Sequence, residues 1–222
     1  MKKGKLIVIE GTDGSGKATQ VALLLKRLKK EGKKVSALDF PRYEKPSSYF
    51  VGKYLRGEYG KVGPYKASLF YALDRYDASF EIKKKLEQGY TVLSDRYVSA
   101  NMGHQGSKIS NRKKREHFLR WLDNLEYEIF GIPRPSLTIL LNIPPLLGQK
   151  LVDGKKRRAY LGKRKRDIHE DDIGHLKKTS MMYLSLARKY RWTVINCTSG
   201  DTLLSREFIH EKIFQEVKKL LP

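Results

Sequence analysis

Gly11-Thr12-Asp13-Gly14-Ser15-Gly16-Lys17 is the stretch whose residue types and spacing point most directly to chemistry. It follows the apolar run Lys5 to Glu10 and precedes an amphipathic stretch, so it is expected to be a strand-to-helix turn. Glycines there let successive backbone N–H groups converge on an anion, with the positive end of the next helix behind them. Lys17 would add a point charge able to follow a phosphoryl group as it moves. Ala18 and Thr19 complete the candidate phosphate-binding loop, Gly11 to Thr19. Such loops usually close on Ser or Thr, whose hydroxyl helps hold Mg2+. Ala18 has none, and Thr19 is turned about 100° away on a helix. A metal ion would then rest on water and carboxylates, with Asp95, at the end of a hydrophobic run, and Asp13, inside the loop, as candidates. A carboxylate within an anion cradle repels phosphate unless a cation or a sugar hydroxyl lies between them, so Asp13 needs a partner.

Charge is the second chemical feature. Forty-six Lys plus Arg against 24 Asp plus Glu leave a net charge of +22 over 222 residues. A surface of this kind attracts nucleic acid, acidic membrane or phosphorylated small molecules. Scattered lysines are ordinarily a solvated face, but between Lys155 and Arg166 eight of twelve residues are basic and none is acidic, which is a local device. The apolar runs Leu6 to Ile9 and Leu137 to Leu141 fall far short of the roughly 20 residues of a membrane span. Lys2, Lys3 and Lys5 resemble the start of a signal peptide, yet the apolar stretch behind them stops at Glu10. The single Cys197 cannot form an internal disulfide, which fits a reducing compartment, and a cytoplasmic location is expected. No zinc finger, RNA-binding signature or recognition helix is evident, so neither a membrane nor a specific nucleic acid is expected as partner.

These groups need elements to hold them. Strands are expected at Lys5 to Glu10, Val35 to Phe40, Tyr90 to Asp95, Ser136 to Asn142 and Trp192 to Asn196. Helices are expected at Gln20 to Lys30, Ser47 to Arg56, Pro64 to Gln88, Asn111 to Phe130, a short one from Pro144, Asp171 to Tyr190 and Leu204 to Leu221. Apolar strands alternating with helices imply a parallel sheet covered on both faces, within one domain. His117, His175 and His210 lack ligand-like partners and read as surface or core residues, and Cys197 reads as a buried small hydrophobe.

Five motifs together resemble the thymidylate kinase family in order and spacing, from residue 5 to about 190: the loop Gly11 to Thr19, Asp39-Phe40-Pro41-Arg42-Tyr43, Leu73-Asp74-Arg75, Asp95-Arg96-Tyr97 and Asp167-Ile168-His169-Glu170. The resemblance implies an α/β fold of the P-loop NTPase type, a three-layer sandwich whose five-stranded parallel sheet is flanked by helices. It also implies a mobile basic lid at approximately 150–170, and a single domain over 1–222. The implied reaction is ATP-dependent phosphorylation of dTMP to dTDP, with Mg2+, in a homodimer. The family's phosphate clamps on the acceptor resemble Arg42 and Arg96, planar forks suited to a phosphate dianion. Tyr71 matches the aromatic that stacks on thymine, and Arg75, one helical turn on, the arginine that bonds its carbonyl edge. Phe40, Tyr43 and Asn101 match positions lining the same pocket, with Asn101 placed to read the N3 face. The family counterpart of Asp13 lies between the sugar 3′-hydroxyl and the metal, and Glu170 matches a carboxylate near the metal or sugar. His104 stands near a position where the family often has an aromatic. Phe70 and Tyr76 read as core. Some thymidylate kinases carry an arginine in the loop and others bring arginines from the lid. Here the loop position is Gly14, so Arg157, Arg158, Arg164 and Arg166 are available. The catalytic set expected is Lys17 and Arg96 with Arg158 and Arg164 of the lid.

Two other activities fit part of the sequence. A kinase for dUMP or dGMP would share everything except the base pocket. A nucleic-acid-stimulated ATPase would use the +22 charge and would bind in a salt-sensitive way.

Overall fold

Side chains alternate across a strand, and the central strand shows what that does here. In the computed structural model, which describes residues 3–153, 173–200 and 202–221, β1 (Lys5–Glu10) sends Leu6 and Val8 to one face and Ile7 and Ile9 to the other. Both faces are covered, so all four are buried. The sheet around it comprises β2 (Val35–Asp39), β3 (Thr91–Asp95), β4 (Leu137–Asn142) and β5 (Thr193–Asn196), in the order β2-β3-β1-β4-β5 with every pair parallel. On the Ile7 face lie α1 (Lys17–Lys30) and α8 (Arg206–Leu220), contributing Leu24, Leu28, Ile213 and Val217. On the Leu6 face lie α3 (Pro64–Glu87), α4 (Val98–His104), α5 (Arg112–Asp123) and α7 (Ile173–Tyr190), contributing Ile82, Met102, Phe118 and Leu186. This is the expected three-layer sandwich. A short α2 (Tyr49–Leu55), entered through a 3₁₀ turn at Pro46–Ser48, packs on α3, and α6 (Pro145–Asp153) follows β4.

The register brings Asp39 level with Asp95, and Ile9 level with Asp95 on the other side, so the carboxyl ends of three strands open onto one edge. The chain leaves β1 toward β2 on one side, and β4 lies on the other. Ligands of open α/β sheets bind at such a reversal.

Several elements differ from the sequence reading. α4 and the 3₁₀ turn Gly106–Lys108 were not expected; α4 is buried on nearly every side, so it shows no amphipathic period. The helix expected over 111–130 starts on its Asn111 cap, which accepts from the Lys114 N–H at 3.0 Å. It changes to a π-turn at Asn124–Ile129. The last helix begins at Arg206 because Ser205 caps it, accepting from the Phe208 N–H at 3.1 Å. A two-residue hairpin, β6 (Thr198–Ser199) with β7 (Thr202–Leu203), was also not read. Tyr76 is not core: it is 40 % exposed, and α3 buries its small and charged residues while Leu69, Leu73, Tyr76 and Phe80 face outward. Cys197 is buried, as expected. Among the described residues no helix is long and apolar enough to cross a membrane.

Candidate active site

The loop between β1 and α1 has the geometry of an anion cradle. Gly11, Gly14 and Gly16 all have positive φ, at 150°, 80° and 88°, and α1 starts at Lys17. At Gly14 the requirement is steric as well as torsional. A Cβ there would lie 2.0 Å from the Gly148 carbonyl oxygen of α6, with which the loop is in close contact. No side chain fits at position 14, so the loop cannot carry an arginine of its own. Lys17 is buried, its Nζ donating to the carbonyls of Gly11 at 3.0 Å and Thr12 at 2.9 Å and, at 3.5 Å, to Ser15 Oγ. Burial, with Arg96 nearby, lowers the Lys17 amine to about 8 against the pull of Asp95, Asp13 and Glu10.

Across from the loop, β3 ends in Asp95 and the chain turns sharply at Arg96, which takes φ of 69°. That left-handed conformation costs a non-glycine residue about 1–3 kcal/mol and must be held by its surroundings. It is held on both sides. Arg96 N–H donates to the Ile9 carbonyl at 3.0 Å, and Ser94 Oγ donates to the Arg96 carbonyl at 2.6 Å. The next N–H, from Tyr97, donates at 3.0 Å to Glu10 Oε1, which also accepts from Ser99 Oγ at 2.6 Å, while Glu10 Oε2 accepts from Tyr183 Oη at 3.0 Å. Glu10 is fully buried, and burial raises its carboxyl above the usual range although Ser99, Arg96 and Lys17 pull the other way. This one carboxylate ties the base of the loop, the Arg96 turn and α7 together.

Arg96 pairs through Nη2 with Asp13 of the loop. Burial works against both charges. Arg96 and Lys17 nevertheless hold the Asp13 carboxyl well below the usual carboxylate range, and Asp13 and Asp95 hold Arg96 well above its own. Asp13 thus has the cationic partner its position demands. The buried Arg96 Nε has no hydrogen-bond partner among the described residues.

A cleft runs from this pair to the inner end of α3. Of the expected site residues, Asp13, Gly14, Gly16, Lys17 and Ala18 line it from the loop side. Phe40, Tyr43, Tyr71, Arg75, Asp95, Arg96 and Asn101 line it from the other elements. His104 lines it too, with its imidazole held far below the ordinary value by burial, which outweighs Asp13. Asp39 and Gln105 also face the cleft, though the sequence reading gave neither a role. Gly11, Thr12, Ser15 and Thr19 belong to the loop and lie outside the cleft wall. At the inner end, Asn101 donates from Nδ2 to the Ser68 carbonyl at 3.1 Å, and Arg75 donates from Nε and Nη2 to the two Glu126 oxygens at 2.5 and 2.6 Å. A groove of about 760 Å³ between α7 and the Gly106–Lys108 turn is wider, but it contains none of the loop and none of these groups. The site is assigned by convergent chemistry rather than by size.

Arg42 does not line the cleft. Its Nε donates to Asp74 Oδ1 at 3.0 Å, and its Nη2 reaches Ser47 Oγ at 2.9 Å and Asp77 Oδ2 at 2.6 Å. Its backbone N–H donates to Asp74 Oδ2 at 2.8 Å. In this structure Arg42 pins the loop bearing Phe40, Pro41 and Tyr43 onto α3. Arg157, Arg158, Arg164, Arg166 and Glu170, and most of the expected lid, lie outside the described residues.

A glycine-rich phosphate loop at the switch point of a β2-β3-β1-β4-β5 parallel sheet defines an α/β P-loop protein. A family model described as thymidylate kinase matches residues 9–213. The chain is 31 % identical over 197 residues to thymidylate kinase of Mycobacterium tuberculosis H37Rv, covering 86 % of this chain and 90 % of that one. It is 30 % identical over 219 residues to thymidylate kinase of Plasmodium falciparum, covering 99 % and 92 %. The solved structure of thymidylate kinase from Candida albicans matches with a TM-score of 0.74 at 21 % identity over 98 % of this chain and 92 % of that one, which bears on the fold. The chain belongs to the thymidylate kinase family.

Proposed function

We propose that this protein transfers the γ-phosphoryl group of ATP to dTMP, giving ADP and dTDP. The observation that carries the reading is the continuity of the cleft. One wall is the phosphate cradle with Lys17, the middle is Arg96, and the far end is an aromatic, an arginine and an amide, groups suited to a pyrimidine. Such an aromatic, amide-bearing end suits one small nucleotide better than a nucleic-acid strand.

The amide selects the base. With Nδ2 engaged by the Ser68 carbonyl, Asn101 is left with Oδ1, an acceptor, for the cleft. Thymine carries a hydrogen on N3 and cytosine does not. Arg75 offers donors to a 4-carbonyl and repels a 4-amino group. Both contacts therefore favour thymine, and mismatched buried polar groups cost about 1–3 kcal/mol each.

Phosphoryl transfer is accelerated mainly by positioning and charge neutralisation. ATP phosphates displace the loop carbonyls as partners of Lys17. The acceptor phosphate takes the free donor of Arg96, and Asp13 then faces the sugar 3′-hydroxyl. Because Gly14 leaves no room for a loop arginine, the remaining positive charge is assigned to the lid, with Arg158 and Arg164 as the catalytic pair and Glu170 near the metal or sugar. Mg2+ is assigned as the ion accompanying ATP, where it would neutralise phosphate charge. Among the described residues no three His, Cys, Asp or Glu side chains come together as a metal cage, and Ala18 has no hydroxyl. Asp95, level with Asp39 in the sheet, remains available beside Asp13. One or two carboxylates with water and phosphate oxygens suffice for this ion.

The test is turnover with ATP and Mg2+ against dTMP, dUMP, dCMP and dGMP. We expect dTMP to have the highest kcat/KM and dCMP to fall at least about 100-fold below it. No turnover of any pyrimidine monophosphate would overturn the proposal.

Because the Lys17 amine of the free protein titrates at about 8, kcat/KM for ATP is expected to decline as pH rises through that value. The bound triphosphate holds the proton on, so kcat should persist to higher pH. Steady-state kinetics between pH 6.5 and 10 would show the separation.

A homodimer is assigned to the outward stripe of α3. Leu69, Leu73, Tyr76 and Phe80 recur at helical spacing with 38–60 % exposure, an apolar face that a second copy of the chain would cover. Sedimentation should give twice the 25.7 kDa chain mass, reduced to one chain by Leu73→Glu with Phe80→Glu. A cytoplasmic location is assigned on the single buried Cys197 and the nucleotide substrates.

A further inference from the structure

Glu126 occupies a position that calls for a hydrocarbon. Phe118, Leu119 and Leu122 form the buried stripe of α5, and the next residue on that stripe, inside the π-turn Asn124–Ile129, is Glu126. It is fully buried, and among the described residues its carboxylate accepts only from Arg75, itself 1 % exposed. A buried ion pair is seldom worth more to stability than a well-packed apolar pair of the same volume. Keeping a carboxylate there therefore points to a demand made on Arg75. Glu126 does not line the cleft, whereas Arg75 does.

We infer that Glu126 is the positioning residue for base recognition. It grips the Nε and Nη2 edge of the guanidinium from behind and fixes its plane. The nitrogen it does not engage, Nη1, is thereby held as the donor for the nucleobase 4-carbonyl. An arginine side chain has many rotamers, and a planar fork anchored along one edge has few, so the discrimination is built before the nucleotide arrives. Burial pulls the Arg75 guanidinium down, and the charge of Glu126 more than offsets it, holding Arg75 above its ordinary value. π-turns occur preferentially at functional sites, and this one places a carboxylate behind the substrate-facing arginine.

The inference rests on the proposed kinase reaction, and its test separates the two. Wild type, Glu126→Gln and Glu126→Asp would be compared with dTMP and with the 5-methyl-2-pyrimidinone deoxynucleoside monophosphate, which lacks the 4-oxygen and the N3 hydrogen, the second loss being common to all three proteins. For Glu126→Gln we expect KM for dTMP to rise about tenfold or more with kcat within about threefold. The KM for the analogue should be unchanged from wild type, and Glu126→Asp should restore part of the preference. The inference is overturned if Glu126→Gln keeps the wild-type preference for dTMP over the analogue, or loses both substrates equally. If Glu126→Gln does not fold, Glu126→Asp decides. A preference for dTMP over the analogue that falls below wild type, with the KM for the analogue unchanged, supports the inference, and a wild-type preference contradicts it. Wild-type protein that leaves dTMP unphosphorylated sinks the kinase reading itself.

Discussion

Replacing Lys17 with methionine is expected to lower kcat/KM for ATP by about 10²–10³-fold while leaving thermal stability unchanged or slightly raised. The size follows from removing one preorganised cation from a water-poor site where phosphate charge must be balanced. The stability half of the prediction comes from the native state. The amine is buried, and its titration is pulled down to about 8, so the fold carries the charge against a desolvation penalty. Methionine has similar length and no charge, and it relieves that penalty. The Gly11 and Thr12 carbonyls and Ser15 Oγ lose a donor, which offsets part of that relief. Loss of activity with a preserved melting temperature would mark Lys17 as a phosphate ligand. A large parallel loss of both would make it a structural clasp of the loop.

Arg96→Ala should do more damage, in two separable ways. It leaves Asp13, which is 16 % exposed, without its ion-pair partner, and breaking one side of a buried pair costs about 3–5 kcal/mol. It also removes the guanidinium that lines the cleft, so kcat/KM for dTMP should fall at least about 100-fold. Combining Arg96→Ala with Asp13→Asn separates the effects: stability should return toward wild type, because no uncompensated carboxylate remains, while turnover stays lost. Chemical denaturation and steady-state kinetics on the three proteins would show this. If the double variant stays as unstable as the single one, the cost lies in the Arg96 turn itself and its φ of 69°.

What could be read in the sequence was what is local. A glycine-rich loop between an apolar run and an amphipathic one carries its meaning within twenty residues, and so do five strands each bounded by Gly, Pro or a charge. Arg42 has contacts that local sequence does not show: Asp74 and Asp77 hold its guanidinium from a helix more than thirty residues later. α4 was invisible because a helix buried all round has no polar face to give it a period. α3 was recognised as a helix with Tyr71 and Arg75 toward the site, but Tyr76 was placed in the core. Its aromatics suggested the core, whereas Ala72, Ala78 and Ser79 let it pack closely on the protein and leave the large side chains outside. Glu10 read only as the end of a strand, although it joins the loop, the Arg96 turn and α7. Glu126 had a signal that went unused, an acid at the spacing of an apolar stripe. The arginines expected to complete the catalytic set fall outside the described residues.

The central claim is that the acceptor nucleotide lies along the cleft between Arg96 and Arg75. A crystal structure of the protein soaked with dTMP tests it most directly. The base should stack on Tyr71 with its 4-oxygen on Arg75 and N3 on Asn101, and the 5′-phosphate should accept from Arg96 Nε. A nucleotide bound with its base away from Tyr71, or with its phosphate out of reach of Arg96, would contradict the account.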